Sequence, residues 1–190
     1  ILASSEKDAD TLRYLEKQRT PYILIDRRPA GLKSNFIGVD DEEIGILATQ
    51  HLIEMGCRRI AHISGPAIST ALGRLKGYQR ALDQNRLSIG PQYVITRDHG
   101  DEESDRSGYE AMKTLLALER PPDGVFCYND PTAMGAMEAA SERGVRIPQE
   151  PHHVDAWRTI GGHGREMGEE RPFEQIDIRR RRLDNGLSHT

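Results

Sequence analysis

Aromatic residues make up only 5% of the chain, and there is a single Trp. The two cysteines, Cys57 and Cys127, stand far apart and lack the spacing of metal ligands. Cys127 falls in an apolar stretch, which favours a buried small side chain over a ligand or a disulfide and points mildly to a reducing compartment. No apolar run approaches the length needed to span a bilayer. Neither GxxxxGK[ST] nor GxGxxG occurs, so a phosphate-cradling loop of either kind is excluded. Nor is there an excess of basic charge. The net charge of -4 argues against this segment gripping a polyanion by itself. No signal peptide is visible, but the chain opens without Met on the strand-like Ile1-Leu2-Ala3, as expected of a fragment of a longer protein.

What is present is a regular alternation. Short apolar strands are expected at residues 1–3, 22–25, 36–39, 60–64, 93–97 and 125–128. Amphipathic helices are expected at 8–18, 41–55, 71–84, 104–118 and from 130 to about 143. In the helix at 41–55 the inward face reads Ile44, Leu47, Ala48, His51, Leu52 and Met55, with Gly56 as its C-terminal cap. After residue 128, Asp130 suits an N-cap and Pro131 the first helical position, with Met134, Met137 and Ala140 recurring at helical spacing and Gly144 closing the helix. Strands alternating with helices specify βαβ units, and hence an α/β fold with parallel sheets covered on both faces. Right-handed crossovers then bring the strand-to-helix loops to one edge, where open sheets bind ligands. The residues on that edge are Asp26, Gly65, Pro66, His99, Asn129 and Asp130.

The composition changes after Pro151. From there to Thr190 only ten of forty residues are apolar, four of the seven His residues cluster, and Arg179–Arg182 forms a bare charge run. Weak packing is expected over most of this tail.

Three stretches carry a resemblance: VDDEEIGILATQHLIEMGCRRIAHISGP at 39–66, GRLKGYQRAL at 73–82 and PDGVFCYNDPTAMGAMEAASERGVRIPQE at 122–150. Together they resemble the LacI/GalR family of bacterial transcriptional regulators, in order over residues 1–150. The resemblance implies a periplasmic-binding-protein-like fold of two Rossmann-like lobes, with the N-terminal lobe incomplete. Residues 1–39 would be part of that lobe, 40–150 the C-terminal lobe, and 151–190 an atypical, poorly ordered tail. It also implies a small-molecule effector, a sugar or related compound, bound between the lobes without any cofactor, metal or catalysis. The complete protein would be a cytoplasmic homodimer that reaches operator DNA through a helix-turn-helix domain outside this chain and touches no membrane. A periplasmic sugar-binding protein of a transporter is the alternative use of the same fold.

Four residues are candidates for the effector site. Arg74, placed in the first turn of its helix, matches the family's effector-contacting Arg through the RLKGY pattern, and a guanidinium suits vicinal hydroxyls or a purine edge; the bland reading is a solvated helix arginine. Asn129 matches a ligand-touching Asn and offers one acceptor and two donors. Asp130 shares that position, although a pure N-cap is the favoured role for it. Asp26 follows the PYILI strand, where a carboxylate can accept from two hydroxyls of one sugar; a turn Asp in IDRRPAG explains it equally well. Of the histidines, His51 and His62 read as packed side chains, and His99 as a strand-end residue near the cleft. The HHVD and GGHG pieces of the tail lack ligand spacing. The soft helix with Ala133, Met134, Ala136, Met137 and Ala140 serves either the sheet or, as in the family, a second subunit.

Beyond IPQE the family would continue with a buried strand ending in Gly and Asp, and PHHVDAWRTIGGHG does not supply one. A frame shift or misjoined gene near Glu150 is the expected explanation of the abrupt change. Translation of the underlying nucleotides in the other two frames is then expected to restore an apolar strand ending in Gly-Asp, and failure in both frames refutes the explanation.

Overall fold

The β-branched and aromatic runs at 23–25, 60–64 and 124–127 form strands because such side chains pack well on a pleated surface. They belong to two sheets. The computed structural model describes residues 1–3, 9–29, 31, 34–96, 103–145 and 175–177. The first sheet has three parallel strands in the order β1 (Leu2–Ala3), β2 (Ile23–Ile25), β3 (Asn35–Ile37), and helix α1 (Ala9–Lys17) links β1 to β2. In the second sheet β4 (Ile60–Ser64) lies between β5 (Val94–Thr96) and β6 (Gly124–Cys127), parallel to both. A short strand β7 (Gln175–Asp177) adds antiparallel to β6, with Ile176 opposite Val125. The tail thus contributes one edge strand. His99, Glu150 and the rest of the tail lie outside the described residues.

Four helices cover the second sheet: α2 (Asp41–Glu54), α3 (Ser69–Gln84), α4 (Ser104–Leu116) and α5 (Asp130–Glu142). Because successive strand residues face opposite ways, β4 and β6 serve two cores at once. Ile60 and Phe126 pack with Ala48, Leu52, Tyr78 and Leu82 of α2 and α3. Ala61, Ile63, Val125 and Cys127 pack with Ala111, Met112, Leu115, Ala136, Ala139 and Ala140 of α4 and α5. Both cysteines are buried, as the apolar stretch around Cys127 suggested for that residue.

Within each helix pair the backbones touch. A Cβ on Gly45 would overlap the Arg74 carbonyl oxygen, and one on Gly77 the Glu42 carbonyl oxygen. The same holds between Gly108 and Thr132, and between Gly135 and Asp105. This closeness decides which face of α5 turns inward. Gly135 and the alanines fit against α4, and Met134 and Met137 stay 61% and 44% exposed. Leu47 of α2 is likewise exposed, while Gly45 and Thr49 are buried in its place.

Element boundaries shift at three points. Helix α3 starts at Ser69, two residues early, which puts Arg74 in its second turn rather than its first. Tyr93 belongs to a 3-10 turn, Pro91–Tyr93, that precedes β5, and its hydroxyl donates to the Arg120 carbonyl at 2.5 Å. The N-cap of α5 is Asn129, not Asp130. Its side-chain oxygen accepts from the Thr132 amide at 3.0 Å, and because Pro131 lies one position earlier without an N–H, Thr132 is the donor available to a cap there. Gly56 and Gly144, at φ 91° and 66°, end α2 and α5 in the left-handed region that favours glycine.

One polar side chain sits deep in the second sheet. His62 of β4 stacks between Tyr78 and Phe126, with ring centroids 5.2 and 4.6 Å away. Its Nδ1 lies 2.9 Å from the Phe126 carbonyl, which can only accept, so Nδ1 carries the proton and the buried Nε2 has no partner. Burial lowers its pKa to about 4, the nearby Arg74 charge adding to the effect and the bond to Phe126 opposing it.

Two measurements test this packing. Gly135→Ala is expected to destabilise the chain by about 1–3 kcal/mol through overpacking against Asp105, read as a lower urea midpoint; an unchanged midpoint would show that α4 and α5 separate freely. For His62 the folded pKa lies below the unfolded value near 6.5. Stability from this residue is therefore complete above pH 6.5 and falls as pH drops towards 4, by about 3 kcal/mol in all. His62→Phe, which keeps a ring between Tyr78 and Phe126, should flatten the urea midpoint against pH in that window relative to the parent.

Candidate functional site

The site forms where several element ends meet. At the end of β2, Asp26 takes φ 66°, a left-handed conformation that Asp tolerates better than most side chains. Its amide donates to the Ile37 carbonyl at 3.0 Å, and its exposed carboxylate lies 3.6 Å from the Arg27 Nε. At the start of α2, Asp40 caps the helix by accepting from the amides of Glu42 and Glu43 at 3.0 and 3.2 Å. That register makes Asp41 the first residue of the helix.

Asp41 and Arg74 are the electrostatic centre. Arg74 donates from Nε to Asp41 Oδ1 at 3.0 Å, with the two side chains only 17% and 12% exposed, Arg74 first. Its Nη1 donates to the Tyr128 carbonyl, just past the end of β6. The backbone there is fixed in turn. Tyr128 N–H bonds Ile63 O at 3.0 Å, and the Tyr128 ring packs with Ile68 and Ala71 where a side chain on Gly65 would collide with it. Burial raises the Asp41 pKa, Arg74 pulls it down, and the carboxylates of Asp26 and Asp40 push it up again.

Asn129 and Asp130 follow Tyr128, both half-buried. The amide oxygen of Asn129 is committed to its cap, which leaves its NH2 group as a donor. One more contact links the two sheets: the Arg28 amide donates to Ser69 Oγ at 3.2 Å, while the Arg28 guanidinium lies over the Phe36 ring, 4.4 Å from its centroid.

Two of the four sequence candidates, Arg74 and Asn129, are tied to one locality by the bond to Tyr128. Arg74 bridges Asp41 and Tyr128, and Asn129 is the next residue along. Asp130 lies one residue further, at the first position of α5. The sequence reading missed Asp41, which entered it only as the first residue of the helix at 41–55. The signal that singles it out is the capping register: in Asp40-Asp41-Glu42-Glu43 the first acid is used by the helix backbone, so the second is free for a partner. Ser69 and the Tyr128 carbonyl left no mark in the sequence. No cluster of three or more His, Cys, Asp or Glu suited to a metal ion occurs among the described residues.

Comparison with known proteins agrees with this architecture. Residues 49–151 match the periplasmic binding protein-like domain family. Among characterised proteins, the HTH-type transcriptional repressor PurR of Haemophilus influenzae is 35% identical over 154 residues, covering 79% of this chain and 44% of the relative. The chain thus spans less than half the length of the curated relatives it matches. A LacI transcriptional regulator from Bacillus cereus subsp. cytotoxis superposes with a TM-score of 0.66 at 25% identity, over 74% of this chain and 49% of that one. A sugar-binding LacI-family regulator from Escherichia coli, solved with phosphate, gives 0.64 at 26% identity, over 78% and 52%. The chain belongs to the periplasmic binding protein-like domain family, in the form found in LacI/GalR-type regulators.

Proposed function

We propose that this chain binds a small polyhydroxyl effector, a sugar or a related compound, at the rim formed by Asp26, Arg74, Asn129 and Asp130, with Asp41 as an additional member. The observation that carries this reading is the Arg74 bridge. One guanidinium touches the start of α2 and the end of β6 while rising from α3, and only part of its donor set is used. Of five N–H groups two are engaged in these bonds, leaving three for a guest. Asp26 adds acceptors and Asn129 adds donors, a mixture suited to hydroxyls. Binding rather than chemistry fits this set, because no nucleophile–base pair is positioned among these residues.

In the complete protein the effector would act by linkage. A ligand that favours one arrangement of the lobes shifts operator affinity by the same coupling, typically about 1–3 kcal/mol. The partners are accordingly operator DNA, reached through a helix-turn-helix domain, and a second subunit, and the setting is the cytoplasm. Among the described residues no helix is long and apolar enough to cross a membrane. The characterised relatives are repressors, which favours this reading over a transporter's binding protein.

In the complete regulator, Arg74→Ala is expected to weaken effector binding more than tenfold by calorimetry while operator binding without effector stays largely intact. Because Arg74→Ala also strands the Asp41 carboxylate, Asn129→Ser supplies a cleaner arm. Serine caps a helix nearly as well, so the melting temperature should hold while affinity drops with the lost amide donors. Unchanged affinity in both variants would remove the site from these residues.

A further inference from the structure

Resting on that effector-site reading, we propose that Asp41 sets the charge class of the ligand: the site takes neutral or cationic polyhydroxyl compounds and rejects phosphorylated or carboxylate ones. Arg74 is the cation at the centre of the rim, and its charge is already matched by Asp41 at 3.0 Å. The pair is shielded, with both side chains largely covered, so solvent screens it less than a surface pair. A second Arg74 donor is held by the Tyr128 carbonyl. What remains is a set of N–H donors on a guanidinium without uncompensated charge, which suits hydroxyl oxygens. An anion brought to those donors would come close to the Asp41 carboxylate as well.

The other charges nearby reinforce this. Asp26 and Asp40 both act on Asp41 as further negative charges. The cations next along the chain are engaged elsewhere. Arg27 lies 3.6 Å from the Asp26 carboxylate, and the Arg28 guanidinium sits over Phe36. Asp130 places another carboxylate one residue beyond Asn129. Burial raises the Asp41 carboxyl above its ordinary value while Arg74 lowers it, and the hydrogen bond between them joins the two into one unit.

The test uses the 190-residue chain, with arginine side-chain Nε–H and asparagine NH2 resonances followed by NMR at pH 7. Inorganic phosphate is titrated into the parent and into Asp41→Asn, and a panel of neutral pentoses and hexoses into both; Asp41→Ser replaces Asp41→Asn if the latter loses its dispersed spectrum. We expect neutral sugars to perturb Arg74 and Asn129, phosphate to leave Arg74 of the parent unmoved, and Asp41→Asn to bind phosphate at Arg74 at least tenfold more tightly than the parent. Phosphate binding at Arg74 equally well in parent and variant overturns the charge selection and leaves the effector site standing. Silence of Arg74 and Asn129 towards every sugar and towards phosphate, in both proteins, overturns the proposal by removing the site it rests on.

Discussion

The bond from Arg74 to Asp41 and Tyr128 is the constraint on which the site depends. It joins three elements that arrive from separate parts of the sequence: α2, α3 and the end of β6. A buried guanidinium is tolerable only when its charge and its donors are met, and here a carboxylate supplies the one and a backbone carbonyl helps with the other. The glycine contacts make this meeting possible. Gly45 and Gly77 let α2 and α3 approach until backbone meets backbone, and the Arg74 carbonyl is itself at that crossing. Gly65 leaves room for the Tyr128 ring beneath the turn after β4. Close packing therefore places the ends of the helices, and the ion pair fixes the side chains within that frame.

Much of the architecture was legible because hydrophobic periodicity and punctuation agreed. Strand β4 spans the expected five residues, 60–64, and α2 opens at the expected residue because an acidic cap precedes an amphipathic run. The errors came where two signals compete. In Asn129-Asp130-Pro131 either acid-amide residue can cap, and the sequence does not say which one still has extended backbone; the structure gives Asn129 φ -154° and ψ 170°. In α5 the spacing left open whether the methionines face the sheet or a second subunit, and the buried face was chosen by size. Alanine and glycine fit against α4, and two exposed methionines are the consequence.

The proposed site was legible only in part. Arg74 and Asn129 stand on or just before helices that follow strands of one sheet, so topology alone brings them to one edge, whereas Asp26 ends a strand of the other sheet. Asp41 did not emerge, because its meaning depends on a partner 33 residues away, and local pattern assigns any acid at that point to the helix terminus. The Tyr128 carbonyl has no side-chain signature at all. Backbone groups enter a site through geometry, and no choice of residue type announces them.

The arrangement also constrains how ligand binding can be transmitted. Asp26 belongs to the end of the first sheet, whereas Asp41 and Arg74 belong to helices at the second. The Arg28–Ser69 hydrogen bond crosses between the same regions. A single exposed hydrogen bond contributes only about 0.5–1.5 kcal/mol, so it cannot by itself hold the two sheets in one relation. A ligand accepting from Arg74 and donating to Asp26 would add bonds that exist only when the two sheets stand at this distance. Its effect on the arrangement equals its differential affinity for the two states, and no more. Two charge-assisted hydrogen bonds at about 1.5–3 kcal/mol each are enough to change a minor arrangement into the dominant one, whereas a ligand held by Arg74 alone, with all its contacts on one side, could bind tightly and shift nothing. On the proposed reading, the acidic residue at position 26 would be the part of the rim able to turn occupancy into a change of shape.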